Sequence, residues 1–146
     1  MVGNLSEHFS YRDFACKCKK CKSEVKIHLG LVGALEAISA NFRRVPRIVD
    51  AYRCEDSSNT LVPIKKDSHR QGRAVHIYID GVPLNQLFEF VKTLPEIRGI
   101  GYYQEEGILH IDTRQSEKDQ QKDIWVKENG KILPLTPDLK SKYNLR

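Results

Sequence analysis

His69-Arg70-Gln71-Gly72-Arg73-Ala74-Val75-His76-Ile77-Tyr78-Ile79 is the stretch whose pattern sets both the expected fold and the expected chemistry. From Ala74 onward it alternates. Val75, Ile77 and Ile79 share one face, and Ala74, His76 and Tyr78 share the other, as in a strand with one side on a core. Gly72 and Ala74, on either side of Arg73, put small residues at the mouth of that strand, where the backbone can bend tightly. His69 stands seven residues before His76, at the same mouth. A second stretch, Ile108 to Thr113, alternates in the same way. Leu109 and Ile111 point one way, and His110 and Asp112 the other. Two facing strands and a loop end can bring three imidazoles to one ion, and zinc with three protein ligands and an open position is a catalytic arrangement. Spacing alone leaves a second reading beside it, three unrelated surface histidines out of the five in the chain.

Outward from these strands, the spacing predicts a helix from about Glu24 to Phe42, with Leu31, Leu35, Ile38 and Phe42 on one stripe. His28, one turn above Leu31 and Val32, reads as a packed or helix-surface histidine rather than a ligand. Residues 6–22 read as a polar loop with a short helix around Tyr11 to Ala15. Pro46 precedes a short strand, Arg47 to Ala51, and Cys54 to Lys66 is polar and irregular, a surface loop. Pro83 sits at a first-turn position of a second helix whose stripe is Leu84, Leu87, Phe88 and Val91. Gly99 to Tyr103 is a further strand. Asp123 to Leu133 is a hairpin closed by Asn129-Gly130, the favoured pair for a two-residue type I′ turn. The last dozen residues, with Pro134 and Pro137, are expected to be a tail. Helices with mostly adjacent strands and no regular βαβ alternation give an α+β domain with an antiparallel sheet flanked by helices.

The chain has 146 residues and a formal charge of +5, with a pI of about 9.0 and a mean hydropathy of -0.51. With 40% hydrophobic and 29% charged residues, these values exclude a membrane protein and argue against wholesale disorder. No run approaches the roughly 18 apolar residues of a membrane span. Met1 to Glu7 shows no basic flank followed by an apolar core, so no signal peptide is expected there. The compartment stays open between the cytoplasm, phage delivery, and the periplasm or exterior after processing. Lysines cluster at Lys17, Lys19, Lys20, Lys22 and Lys26 and again at Lys65 and Lys66. Such a skin suits an anionic polymer, nucleic acid or bacterial cell wall, and equally a surface that is simply lysine-rich. Cys16, Cys18 and Cys21 form one C-x-C-x-x-C cluster, with Cys54 distant. Structural zinc, disulfides and free thiols remain three alternatives for them.

The stretch from His69 to Ile77 resembles the H-x-x-G-R-A-x-D signature of zinc D-alanyl-D-alanine carboxypeptidases and related cell-wall peptidases, whose fold the hedgehog signalling domain shares. Three more stretches are similar to motifs of that family, in order. Leu5-Ser6-Glu7-His8-Phe9-Ser10 with Asp13-Phe14-Ala15-Cys16 resembles its opening "LSxHFSxxEFxC". Ala51-Tyr52-Arg53-Cys54 resembles "SGYRC", and Ile108 to Arg114 resembles "FVHxDTR". Order and spacing agree from about residue 5 to 114, so the resemblance implies one domain over 1–146, with a core at about 5–114 and a hairpin and tail at 115–146.

Carried over residue by residue, the resemblance implies zinc ligands at His69, His76 and His110. It implies that Arg53 holds the substrate's carbonyl or carboxylate, for which a guanidinium offers a planar fork. Cys16 and Cys54 fall where relatives also tend to carry Cys, which suggests a structural staple near the site. Four departures stand beside it. Position 76 is His where the family has Asp; imidazole also binds zinc, and the site would then carry net charge +2 instead of +1. Asp67 aligns with the family's Ser two residues before the first His, and is a candidate substrate-binding residue. Pro63-Ile64-Lys65-Lys66 replaces a glycine pair in the loop lining the cleft. Gly107 stands where many relatives carry an acidic residue three positions before the closing His. Glu105, Glu106 and Asp112 are nearby substitutes, with Asp112 favoured and the two glutamates also readable as a solvated turn.

The resemblance therefore implies a zinc-dependent peptidase, of D,D-carboxypeptidase or endopeptidase type, acting on peptidoglycan stem peptides or cross-links. Zinc lowers the pKa of a coordinated water to about 7 and polarises the scissile carbonyl. A carboxylate, Asp112 or Glu106, would take the water's proton and pass it to the leaving amine, while Arg53 steadies the oxyanion or anchors a terminal carboxylate. The expected partner is a peptidoglycan peptide met by a monomer, with no membrane span and no nucleic acid. A non-catalytic binding module of the same fold is the alternative, given His76, Asp67 and Gly107. A nucleic-acid binder built on the Cys16–Cys21 cluster and its lysines is a third class, marked by steeply salt-dependent binding.

Overall fold

Alternating apolar positions on four consecutive paired strands give this chain its sheet, and two amphipathic helices cover the apolar side. The structure is a computed structural model that describes residues 6–14, 28–50, 73–113 and 122–145. A single six-stranded sheet runs in the order β1-β2-β4-β3-β5-β6. Its strands are β1 (Arg47–Asp50), β2 (Ala74–Tyr78), β3 (Gly99–Tyr103), β4 (Ile108–Asp112), β5 (Asp123–Glu128) and β6 (Lys131–Pro134). The helices are α1 (Leu29–Phe42), α2 (Leu84–Val91) and α3 (Pro137–Lys142), with a short 3-10 turn at Tyr11–Phe14. Among the described residues, no helix is long and apolar enough to cross a membrane.

The core forms on one side of the sheet. Val75 and Ile77 of β2, Leu109 and Ile111 of β4, Ile100 and Tyr102 of β3 and Val126 of β5 pack in one buried cluster with Leu31, Leu35 and Ile38 of α1 and Leu87, Phe88 and Val91 of α2. The members from β2, β4, α1 and α2 are residues that the period-2 and period-3.6 patterns select. Phe9 and Phe14 join the same cluster, their rings 6.0 Å apart. The N-terminal segment is tied to α1 through Glu36, which accepts from Ser6 Oγ at 2.5 Å and from the His8 backbone N–H at 2.9 Å.

Two expectations are corrected. The sheet is mixed rather than antiparallel, because β5 runs parallel to β3, with Gly99 opposite Asp123 and Gly101 opposite Trp125. Strand direction depends on the path of the connection, which the strand's own alternation does not encode. The expected tail contains α3. Thr136 caps it, its side chain accepting from Leu139 N at 3.3 Å, and Pro137 opens the first turn, a start signal that a six-residue helix carries without a readable apolar stripe. Behind α3, Leu145 is buried and Tyr143 packs 5.3 Å from Tyr102. The hairpin turns as expected, with positive φ at both Asn129 (51°) and Gly130 (76°). The first helix starts at Leu29, later than the expected Glu24, because His28 at its N-cap has extended backbone (φ -84°, ψ 125°).

Candidate metal-binding face

Cross-strand partners share a face, so the register decides what surrounds the two described site histidines. His76 stands opposite His110, and Ala74 opposite Asp112. On the other flank Gly101 stands opposite His110, and Gly99 opposite Asp112. The face turned away from the core therefore carries His76, His110 and Asp112 over two glycines, with Tyr103 and Trp125 beside them. The glycines matter sterically. A Cβ on Gly99 would fall 2.6 Å from Asp112 Cγ, and one on Gly101 would fall 2.6 Å from both Trp125 Nε1 and Tyr103 Cε1.

In this notch, His76 Nε2 lies 3.0 Å from His110 Nδ1, and His110 Nε2 lies 2.7 Å from Asp112 Oδ2. His110 is 6% exposed and Asp112 fully buried, while His76 is half-buried. Aromatic rings hold the imidazoles from the sides. Tyr103 stacks on His110 at 6.3 Å and meets His76 edge-on at 5.4 Å, and the His110 and Trp125 rings lie 5.0 Å apart. The Trp125 indole N–H donates to Tyr103 Oη at 3.2 Å. Tyr103 and Trp125 escaped the sequence reading. The signal that could have found them is the Gly-x-Gly-x-Tyr alternation of β3, small residues on the face that also carries a ring.

The nitrogens fit an ion. Two ligands at about 2.0–2.1 Å from a tetrahedral zinc lie roughly 3.3 Å apart, close to the 3.0 Å between His76 Nε2 and His110 Nδ1. His76 meets this contact with its distal nitrogen and His110 with its proximal one. Among the described residues, no group of three or more His, Cys, Asp and Glu converges as a complete metal site. His69, Arg53 and Asp67 lie outside the described residues, as do Cys16, Cys18, Cys21 and Cys54.

The other expected carboxylates are placed by the β3–β4 turn. Glu106 Oε1 lies 2.6 Å from Lys127 Nζ, and Glu105 Oε1 accepts from Asn129 N at 2.7 Å. Both are exposed and engaged with the β5–β6 hairpin, and Gly107 between them and β4 takes a positive φ of 68°. His28 lies at the end of β4, its Nδ1 2.8 Å from Thr113 Oγ1. Burial, with the charge of Arg73, holds its pKa below the ordinary histidine value. This matches a packed histidine at the helix start.

A family model described as peptidoglycan L,D-endopeptidase MepK matches residues 21–118. Peptidoglycan L,D-endopeptidase MepK of Escherichia coli strain K12 is 29% identical over 113 residues, covering 73% of this chain and 58% of that protein. The protein of the same name from Shigella flexneri matches with the same identity and coverage. The chain thus spans 58% of the length of these curated relatives. No solved structure matches it.

Proposed function

The chain belongs to the peptidoglycan L,D-endopeptidase MepK family, and from that premise we propose that it is a zinc-dependent peptidase hydrolysing peptide bonds in peptidoglycan stems or cross-links. The observation that carries the reading is the meeting of His76 Nε2 and His110 Nδ1 at 3.0 Å on the face opposite the core. His76 and His110, with His69 seven residues before His76, would hold the ion. When bound, zinc supplies Lewis acidity toward a peptide carbonyl and a water. Arg53 would seat the carbonyl or a terminal carboxylate of the substrate through its two-pronged guanidinium, and Asp67 would line the same cleft. Tyr103 and Trp125 wall the histidines on the β3–β5 side. The names of the relatives favour an endopeptidase over a carboxypeptidase. A hedgehog-like topology is the fold this reading carries with it.

A second reading, a zinc-holding or wall-binding module without turnover, is favoured by the carboxylates. Peptide hydrolysis needs a group that moves a proton from water to the leaving amine. Glu106 is paired with Lys127, Glu105 with Asn129 N, and Asp112 with His110. Digestion of purified muropeptides, read by mass spectrometry with and without chelator, separates the two. The peptidase reading expects chelator-sensitive cleavage. Full zinc with no turnover across the panel favours the module, and a gain of cleavage in His76→Asp identifies a decayed enzyme.

A further inference from the structure

Asp112 occupies a place unsuited to the proton transfer expected of it. Its carboxylate has no exposed surface and lies behind His110, against Nε2, on the opposite side of the ring from the nitrogen that faces His76. Gly99 leaves the space it fills, because a Cβ there would overlap the carboxylate. Backbone bonds fix the strand on both sides of it: Arg98 N–H donates to Asp112 O at 2.8 Å, and Thr113 N–H to Arg73 O at 2.9 Å.

We propose that Asp112 is a positioning residue that holds His110 in the tautomer protonated at Nε2 and so turns the Nδ1 lone pair toward His76. When the Asp112 carboxylate is ionised it only accepts hydrogen bonds, and the nitrogen 2.7 Å away then carries the hydrogen. In a neutral imidazole the other nitrogen then has a lone pair, and here that nitrogen is 3.0 Å from His76 Nε2. Without metal, His76 Nε2 donates into this lone pair; with metal, the same lone pair is directed at the ion. Carboxylates behind ligating histidines set ring orientation and raise ligand basicity in this way. Gly99 belongs to the device, since the carboxylate occupies the space its missing side chain leaves. The functional consequence rests on the zinc-peptidase reading, whereas the tautomer does not.

The test is long-range proton–nitrogen-15 NMR on the metal-free full chain at alkaline pH, with the His110 ring assigned by its loss in His110→Gln. Wild type is expected to show His110 protonated at Nε2. Asp112→Asn, nearly isosteric, is expected to change that signature and to lower zinc affinity about 10–100-fold while melting stays cooperative. Gly99→Ala, which displaces the carboxylate without removing it, is expected to alter the same resonances. A wild-type His110 protonated at Nδ1 overturns the proposal. So does an Asp112→Asn variant with the wild-type tautomer and wild-type zinc affinity. If Asp112→Asn does not fold, the wild-type and Gly99→Ala spectra decide. A wild-type chain that takes up no zinc yet shows the Nε2–H form removes the zinc reading and leaves the positioning role supported.

Discussion

His8 with Glu36 and His110 with Asp112 are each a histidine against a carboxylate at nearly the same distance, 2.6 Å and 2.7 Å. Their surroundings differ. The His8 and Glu36 side chains are 35% and 22% exposed; those of His110 and Asp112 are 8% and 0% exposed. The outer pair fastens the N-terminal segment to α1 across 28 residues of chain, in reach of water and salt. The inner pair links residues two apart on one strand and is walled by Tyr103, Trp125 and the glycines of β3. An exposed pair contributes through charge and is screened. A buried one is costly to break, because a lost partner leaves a polar group with neither water nor protein to replace it. The inner pair therefore sets the geometry of a site, and the outer pair responds to conditions.

The largest expected effect comes from removing the inner histidine. His110→Ala should lower zinc affinity by more than about 100-fold, the upper end for loss of an outer-shell partner alone, measured by competition with a chromophoric chelator. His8→Ala should leave it unchanged, and an equal loss in both variants would break the contrast. Next is Gly99→Ala. The added methyl meets a buried carboxylate and should cost about 1–3 kcal/mol as overpacking, read by urea denaturation. A wild-type midpoint would show that Asp112 can move aside and that the notch is loose.

The smallest effect is the pH response of the outer clamp. The hydrogen bond to Glu36 lifts His8 above its ordinary value of 6.5, against a smaller opposing effect of burial. Burial pushes the Glu36 carboxyl up, but bonds from Ser6 and His8 outweigh it and hold it below its ordinary 4.5. A raised histidine stabilises fully below its unfolded value and loses that contribution as pH rises through its folded value. A lowered carboxylate stabilises above its unfolded value and loses it as pH falls through its folded value. The melting-temperature gap between wild type and His8→Ala should therefore be widest between about pH 4.5 and 6.5, close at higher pH, and shrink in added salt. A gap constant from pH 5 to 8.5 would make the clamp a matter of packing.

The inner site was legible in the sequence only as far as period-2 alternation reaches. That pattern puts His76, His110 and Asp112 on the face away from Val75, Ile77, Leu109 and Ile111, and the structure keeps them there. It does not say what lies across from them. The burial of Asp112 follows from its register with Gly99, and the aromatic wall from the parallel pairing of β3 with β5, both set by how the chain returns. The same limit hid α3, whose six residues are too few for a stripe although Thr136 and Pro137 mark its start. In the outer region, the opening motif located the segment of Ser6 and His8, while their anchor, Glu36, follows Leu35 and lies off the stripe that the helix pattern selects.

Zinc-edge X-ray absorption on the zinc-loaded full chain tests the central claim most directly. The account predicts a first shell dominated by imidazole nitrogens at about 2.0–2.1 Å, lost in a His76→Ala, His110→Ala double variant. A shell of sulfur alone at about 2.3 Å, unaffected by that double variant, would contradict it and place the metal on the cysteines instead.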